Sequence, residues 1–160
     1  MAKRLRDRVT WRGVLITGAF LVLVLGILQL VPYRWSNPPV RQEPPWDSPR
    51  TRELAVAACF NCHSNESDPY WFENVAPVSW LITSDIEEGR EELNLSECTP
   101  DEGRDDGEDA AEEIREGSMP PSSYTALGLL HPEAQLSDAE REELARGLVV
   151  SLQNVRCDGE

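Results

Sequence analysis

The sequence predicts an all-α chain, a small helical domain carried behind a single N-terminal transmembrane helix. Three features point there. Residues 13 to 31 are nineteen consecutive positions without a charge, helix start and stop signals recur along the rest of the chain, and no stretch alternates apolar and polar residues for long enough to read as a strand.

The apolar run has only Thr17 and Gln29 as polar side chains. As a helix it would be about 28 Å long, close to the hydrocarbon thickness of a bilayer. Lys3, Arg4, Arg6, Arg8 and Arg12 precede it, so residues 1 to 12 are expected in the cytoplasm and everything after Val31 outside. Trp11 on one flank and Tyr33 and Trp35 on the other suit the two interfaces. The competing reading is a cleaved signal peptide. An uncleaved anchor is favoured because the run is longer than a signal peptide's apolar core and no small-x-small cleavage site follows it.

Six of the twelve prolines fall between Pro32 and Pro49. This density opposes helix and favours an extended tether over residues 32 to 49. The functional domain is then residues 50 to 160. Ser48 and Pro49 read as N-cap and first residue of a helix reaching about Cys59. A second helix opens at Pro77 and carries Val78, Leu81, Ile82 and Ile86 to a stop near Gly89; a third covers 108 to 116 and ends at Gly117. The last has a capping box at Ser137 and Glu140 and a stripe of Leu144, Leu148 and Leu152.

Charge divides the chain as sharply as hydropathy does. Residues 1 to 35 carry six basic side chains and one acidic one, whereas residues 36 to 160 carry nine basic and twenty-eight acidic, a net of −19. Nucleic-acid binding requires clustered cations, so it is excluded as a function. No lysine lies beyond the apolar run, so docking through a ring of lysines is excluded; a domain this acidic should prefer a basic patch on its partner, with an association rate that falls as salt rises. Two sequons, at Asn65 and Asn94, are common chance patterns.

One motif carries chemistry. Cys59-Phe60-Asn61-Cys62-His63 is C-x-x-C-H, the attachment signature of c-type haem. Two thiols three residues apart can each add to a haem vinyl group, and the next residue offers an imidazole to the iron. The competing readings are a zinc half-site, a redox dithiol and a structural disulfide. A zinc site needs four ligands, and the residues left to complete it, His131, Cys98 and Cys157, include no second close pair; a redox dithiol would want a βαβ setting. For a second axial ligand the candidates are Met119, in Gly-Ser-Met-Pro, and His131; an open sixth position is the third option. Without ligation Met119 would read as a buried gap-filler and His131 as a loop or helix-start residue. Trp71, Trp80 and Tyr124 could pack on a porphyrin or simply in the core, and Arg90 could meet a propionate or form a surface ion pair. Cys98 and Cys157 could pair as a disulfide in an oxidising compartment.

The order of motifs resembles class I cytochromes c. More narrowly, Cys59 to Leu148 is similar to the single-haem "haem-binding domain" family of bacterial membrane-anchored proteins. The matching pieces are Cys-Phe-Asn-Cys-His-Ser (59 to 64), Ala-Pro-Val-Ser-Trp (76 to 80), Gly89-Arg90, Asn94-Leu95-Ser96, Met119-Pro120, Tyr124, His131-Pro132 and Leu136-Ser137. The resemblance implies a cytochrome c-like helical domain around one covalent haem c. It gives Cys59 and Cys62 as thioether points, His63 as proximal ligand and Met119 as distal ligand.

The expected function is that of a monohaem c-type cytochrome, anchored in the bacterial cytoplasmic membrane and passing single electrons on its extracytoplasmic, periplasmic side. A haem-based redox or gas sensor and an accessory haem subunit of a membrane complex are the alternatives. No catalytic triad or carboxylate pair points to an enzyme. A covalent porphyrin would also supplement a domain whose own apolar content is thin, so the apo form is expected to fold poorly.

Overall fold

The computed structural model describes residues 10–97, 104–125 and 131–153. Among them there is no strand, and the chain is all-helical as expected. It divides into two compact units. One contains the first helix with residues 70 to 83, and the other contains residues 35 to 69 and the chain from Ser84 onward.

In the first unit, α1 spans Trp11–Leu28, with Thr10 accepting from the Gly13 amide at its start and Gln29 as C-cap. The helix is long and apolar enough to cross a membrane, with mean hydropathy 2.1, and none of its residues is buried in the protein. A core-helix role is thereby excluded. Residues 71 to 74 form a 3-10 turn that the sequence did not signal.

The second unit is built on α2 (Pro49–Ala58), α5 (Arg104–Glu116) and α7 (Asp138–Gln153), with α3 (Phe60–His63) and α6 (Ser122–Thr125) as single turns. The capping signals behave as read. The Ser48 hydroxyl accepts from the Thr51 amide, Pro49 opens α2, and Ser137 and Glu140 bond reciprocally at the start of α7. Gly117, at φ 78°, ends α5 in the left-handed region that glycine tolerates. The expected leucine stripe of α7 is buried. Leu144, Leu148 and Leu152, with Ala145, meet Leu54 and Ala55 of α2, Ala111 and Ile114 of α5, Phe60 and Leu95. Small residues let these helices approach: a Cβ on Gly107 would touch Leu152, and one on Gly147 would overlap the Thr51 side chain.

Two expectations need adjusting. α4 runs over Val78–Glu92, straight through the expected stop at Gly89, because that glycine is a packing residue inside the helix and not its cap. The proline-rich segment is free of helix as far as Ser48, yet from Trp35 it belongs to the second unit. The Arg41 and Gln42 amides donate to the Ser96 carbonyl (2.9 and 3.2 Å), and Arg52 grips Glu43 with two bonds of 2.7 Å. Trp46 adds a bond of 2.6 Å to Glu43 and lays its ring beside Phe60.

Gly147→Ala should destabilise the protein by about 1–3 kcal/mol through overlap with Thr51. Helix propensity alone predicts a gain of about 1 kcal/mol at such a position, so the direction of the shift in melting temperature separates the two effects. Arg52 beside Glu43 holds that carboxyl below its ordinary value, against a smaller opposing effect of burial. A depressed folded-state pKa contributes stability above the ordinary glutamate pKa, and that contribution is lost as pH falls through the folded value. Denaturation midpoints of Glu43→Gln should therefore fall less steeply than wild type over that acidic window, by within about 1 kcal/mol for a pair this exposed.

Candidate cofactor site

The C-x-x-C-H motif is one helical turn appended to α2. The Cys59 amide donates to the Ala55 carbonyl (2.8 Å), and the Cys59 carbonyl accepts from the Cys62 and His63 amides (3.1 and 2.9 Å). The thiols at i and i+3 and the imidazole at i+4 thus fall on one face of a single turn. Phe60, buried in the core, fixes that turn to the body of the unit.

His63 is half-buried, and its Nδ1 lies 3.1 Å from the Leu93 carbonyl. A carbonyl can only accept, so Nδ1 carries the proton. Burial lowers the imidazole pKa against the pull of the Leu93 and Gly89 carbonyls. A neutral ring protonated at Nδ1 has its lone pair on Nε2, the tautomer a metal-ligating histidine uses, with the other nitrogen held by a backbone carbonyl.

Residues 89 to 97 wrap this turn. A Cβ on Gly89 would stand 2.8 Å from the Cys62 carbonyl oxygen, so only glycine allows α4 so close. The Leu95 amide donates to the His63 carbonyl (2.8 Å), the Ser96 hydroxyl accepts from the Asn65 amide (2.9 Å), and Asn94 Nδ2 donates to Asn65 Oδ1 (3.0 Å). Arg90 donates to the Ser64 and Ser36 carbonyls, Asn37 Oδ1 and the Ser67 hydroxyl, all between 2.7 and 3.0 Å. Four of its five N–H donors thus go to neutral protein oxygens, which makes the residue a clamp on the loop after His63. Gly89, Leu93, Asn94 and Ser96 were not read as site residues from the sequence, although Gly-Arg and Asn-Leu-Ser were among the recognisable family pieces.

On another side of the motif, Asn61 Nδ2 donates to the Tyr124 hydroxyl (2.6 Å), and the Tyr124 ring stacks on His131 with centroids 3.8 Å apart. His131 is buried, begins the 3-10 turn Pro132–Ala134, and has Nδ1 3.1 Å from Glu133. The helix-start reading of His131 fits this position.

Met119 lies between α5 and α6, its amide on the Glu113 carbonyl (3.1 Å) and its own carbonyl on Arg141 (3.3 Å). At 37% exposure it is not the buried gap-filler of the competing reading. Trp71 and Trp80 belong to the other compact unit. Trp71 is 79% exposed, lies edge-on to Phe72, and does not pack as a core aromatic. The Trp80 Nε1–H is buried without a partner among the described residues. Cys98 and Cys157 lie outside the described residues, and so does their expected disulfide.

The donor set discriminates among the chemistries. Burial, and then the neighbouring Cys62, push the Cys59 thiol up to about 12. Redox dithiols work through a lowered thiol pKa, so this environment opposes that reading. Two cysteines and a tautomer-fixed histidine on one turn, backed by a glycine contact, fit a covalently held haem. Gly89→Ala should displace the turn: haem content after purification should fall and the melting temperature drop relative to wild type, with absorption and thermal melting as the readouts.

The chain matches the haem-binding domain family over residues 23–149. Neither the curated proteins nor the solved structures provide a match. The family match begins inside α1 and takes in the proline-rich segment, consistent with the bonds that tie that segment to the second unit. With most of its length covered, the chain belongs to the haem-binding domain family.

Proposed function

We propose that this chain is a membrane-anchored monohaem c-type cytochrome that passes single electrons on the extracytoplasmic face of a bacterial cytoplasmic membrane. Family membership makes it a haem protein. The observation that carries the finer reading is the Cys59–His63 turn, with His63 Nδ1 on the Leu93 carbonyl.

Cys59 and Cys62 would hold the haem by thioether bonds, and His63 would ligate through Nε2. Met119 is the proposed second ligand, presented on a loop fastened to the end of α5 and to Arg141. Haem bound in this way supplies one-electron exchange between ferric and ferrous iron, at a potential set by axial ligands, burial and hydrogen bonds. The protein's part is to hold the imidazole neutral and oriented, and the Leu93 bond does so. The basic N-terminus and apolar α1 support an inside-to-outside anchor. A strongly acidic domain supports a redox partner with a basic docking patch.

A haem-based sensor of a small gas or of redox state is the alternative, and it requires the sixth position of the iron to open. Carbon monoxide binding to the reduced protein at neutral pH would support sensing, and its absence supports a closed carrier.

Met119→Ala tests the ligand assignment. The sulfur-to-iron charge-transfer band of the ferric protein should disappear while the pyridine haemochrome yield stays near wild type. An unchanged band would refute Met119 as ligand.

A further inference from the structure

Residues 36 to 160 carry thirty-seven charged side chains, yet the sixteen residues from Pro69 to Ser84 contain one, Glu73. Its carboxylate is turned inward: Glu73 is buried and accepts from the Tyr70 amide (2.6 Å). What the segment shows outward is apolar. Leu81 is 68% exposed and Val75 and Val78 41% each, alongside the exposed Trp71. Tyr70, Trp71 and Phe72 form a contiguous aromatic group, with Phe72 stacked on Tyr70 at 5.7 Å and edge-on to Trp71 at 5.9 Å.

A segment of this kind in an acidic domain needs a partner, and the hydrogen bonds of the same compact unit indicate which. Gln29, the C-cap of α1, donates from Nε2 to the Ala76 carbonyl (3.1 Å) and accepts from the Ala76 amide at Oε1 (3.0 Å). Five residues further on, Arg34 donates to the Asn74 carbonyl (3.4 Å). An eighteen-residue helix is about 27 Å long and fills the hydrocarbon of a bilayer. Its capping residue therefore lies at the outer boundary, and Ala76, bonded to it through both backbone groups, lies at the same depth. Val75 and Val78 are within two residues of Ala76, and Leu81 is one helical turn beyond Val78. Tryptophan and tyrosine partition to this boundary, and an apolar face of this kind buries there by several ångströms.

We propose that residues 70 to 81 are a second lipid contact, with Trp71, Val75, Val78 and Leu81 lying in the headgroup and acyl boundary of the bilayer that α1 crosses. The partner is the phospholipid surface itself. The proposal rests on reading α1 as a retained membrane span. It also gives Trp71 a role other than haem packing: the chain is held to the bilayer at two points, one spanning and one interfacial.

The test uses the haem-loaded full-length chain in phosphatidylethanolamine and phosphatidylglycerol vesicles, with the photoreactive amino acid p-benzoylphenylalanine replacing one exposed residue at a time. Phe20 in α1 reports the span, Trp71 and Leu81 report the proposed contact, and Glu53 on α2 is the aqueous control. After irradiation, peptide mass spectrometry should find phospholipid adducts at 20, 71 and 81 and none at 53. Adducts at 20 without adducts at 71 and 81 would overturn the proposal and leave the span intact. Cross-links from 71 or 81 to another protein chain in place of lipid would overturn it in favour of a protein interface. Absence of lipid adducts at 20 would remove the span and the proposal together.

Discussion

The bond from His63 Nδ1 to the Leu93 carbonyl is the constraint around which the second unit is arranged. It fixes the tautomer, so the ring's lone pair stands on Nε2. To keep it, residues 93 to 96 must lie alongside the 59–63 turn. They are held there by main-chain and short side-chain bonds from Leu95 to His63, Asn94 to Asn65, and Ser96 to Asn65. α4 must end beside Cys62, and glycine at 89 is what permits the approach. Arg90 then ties the following loop to Ser36 and Asn37, so the proline-rich segment is recruited to the same framework.

The framework is coupled to the core through Phe60. That residue sits inside the C-x-x-C-H motif and also belongs to the cluster formed by α2, α5 and α7. Alanine and glycine at the helix contacts, Ala55, Ala111, Ala145, Gly107 and Gly147, allow close packing with few large side chains. This offsets part of the shortage of apolar residues in the region after α1. The acidic side chains that dominate its composition stay largely at the surface, several of them paired with Arg50, Arg52 and Arg115.

Elements defined by local chemistry were legible in the sequence. Ser48-Pro49, Ser137 with Glu140, and Gly117 act through bonds or dihedrals within a few residues, and each falls where it was expected. Gly89 was misread as a helix stop because the same residue serves as a cap or as a point of close approach, and only the tertiary neighbour, Cys62, decides between them. Arg90 stood out in the sequence because a guanidinium fork matches a carboxylate; the four neutral oxygens it meets, brought together from residues 36 to 67, could not be read there because they are assembled only by the fold. The C-x-x-C-H motif was legible because its spacing is its chemistry. The carbonyl that orients His63 was not, since any residue can supply one.

The central claim is that Cys59 and Cys62 hold one haem covalently on the turn that His63 completes. Mass spectrometry of the 59–63 peptide, cut from full-length protein purified from membranes and extracted with acidified acetone, tests it most directly. The account predicts a peptide heavier by one haem, with both thiols resistant to alkylation. A bare peptide, with two alkylatable thiols or a Cys59 to Cys62 disulfide and the haem left in the extract, would contradict it.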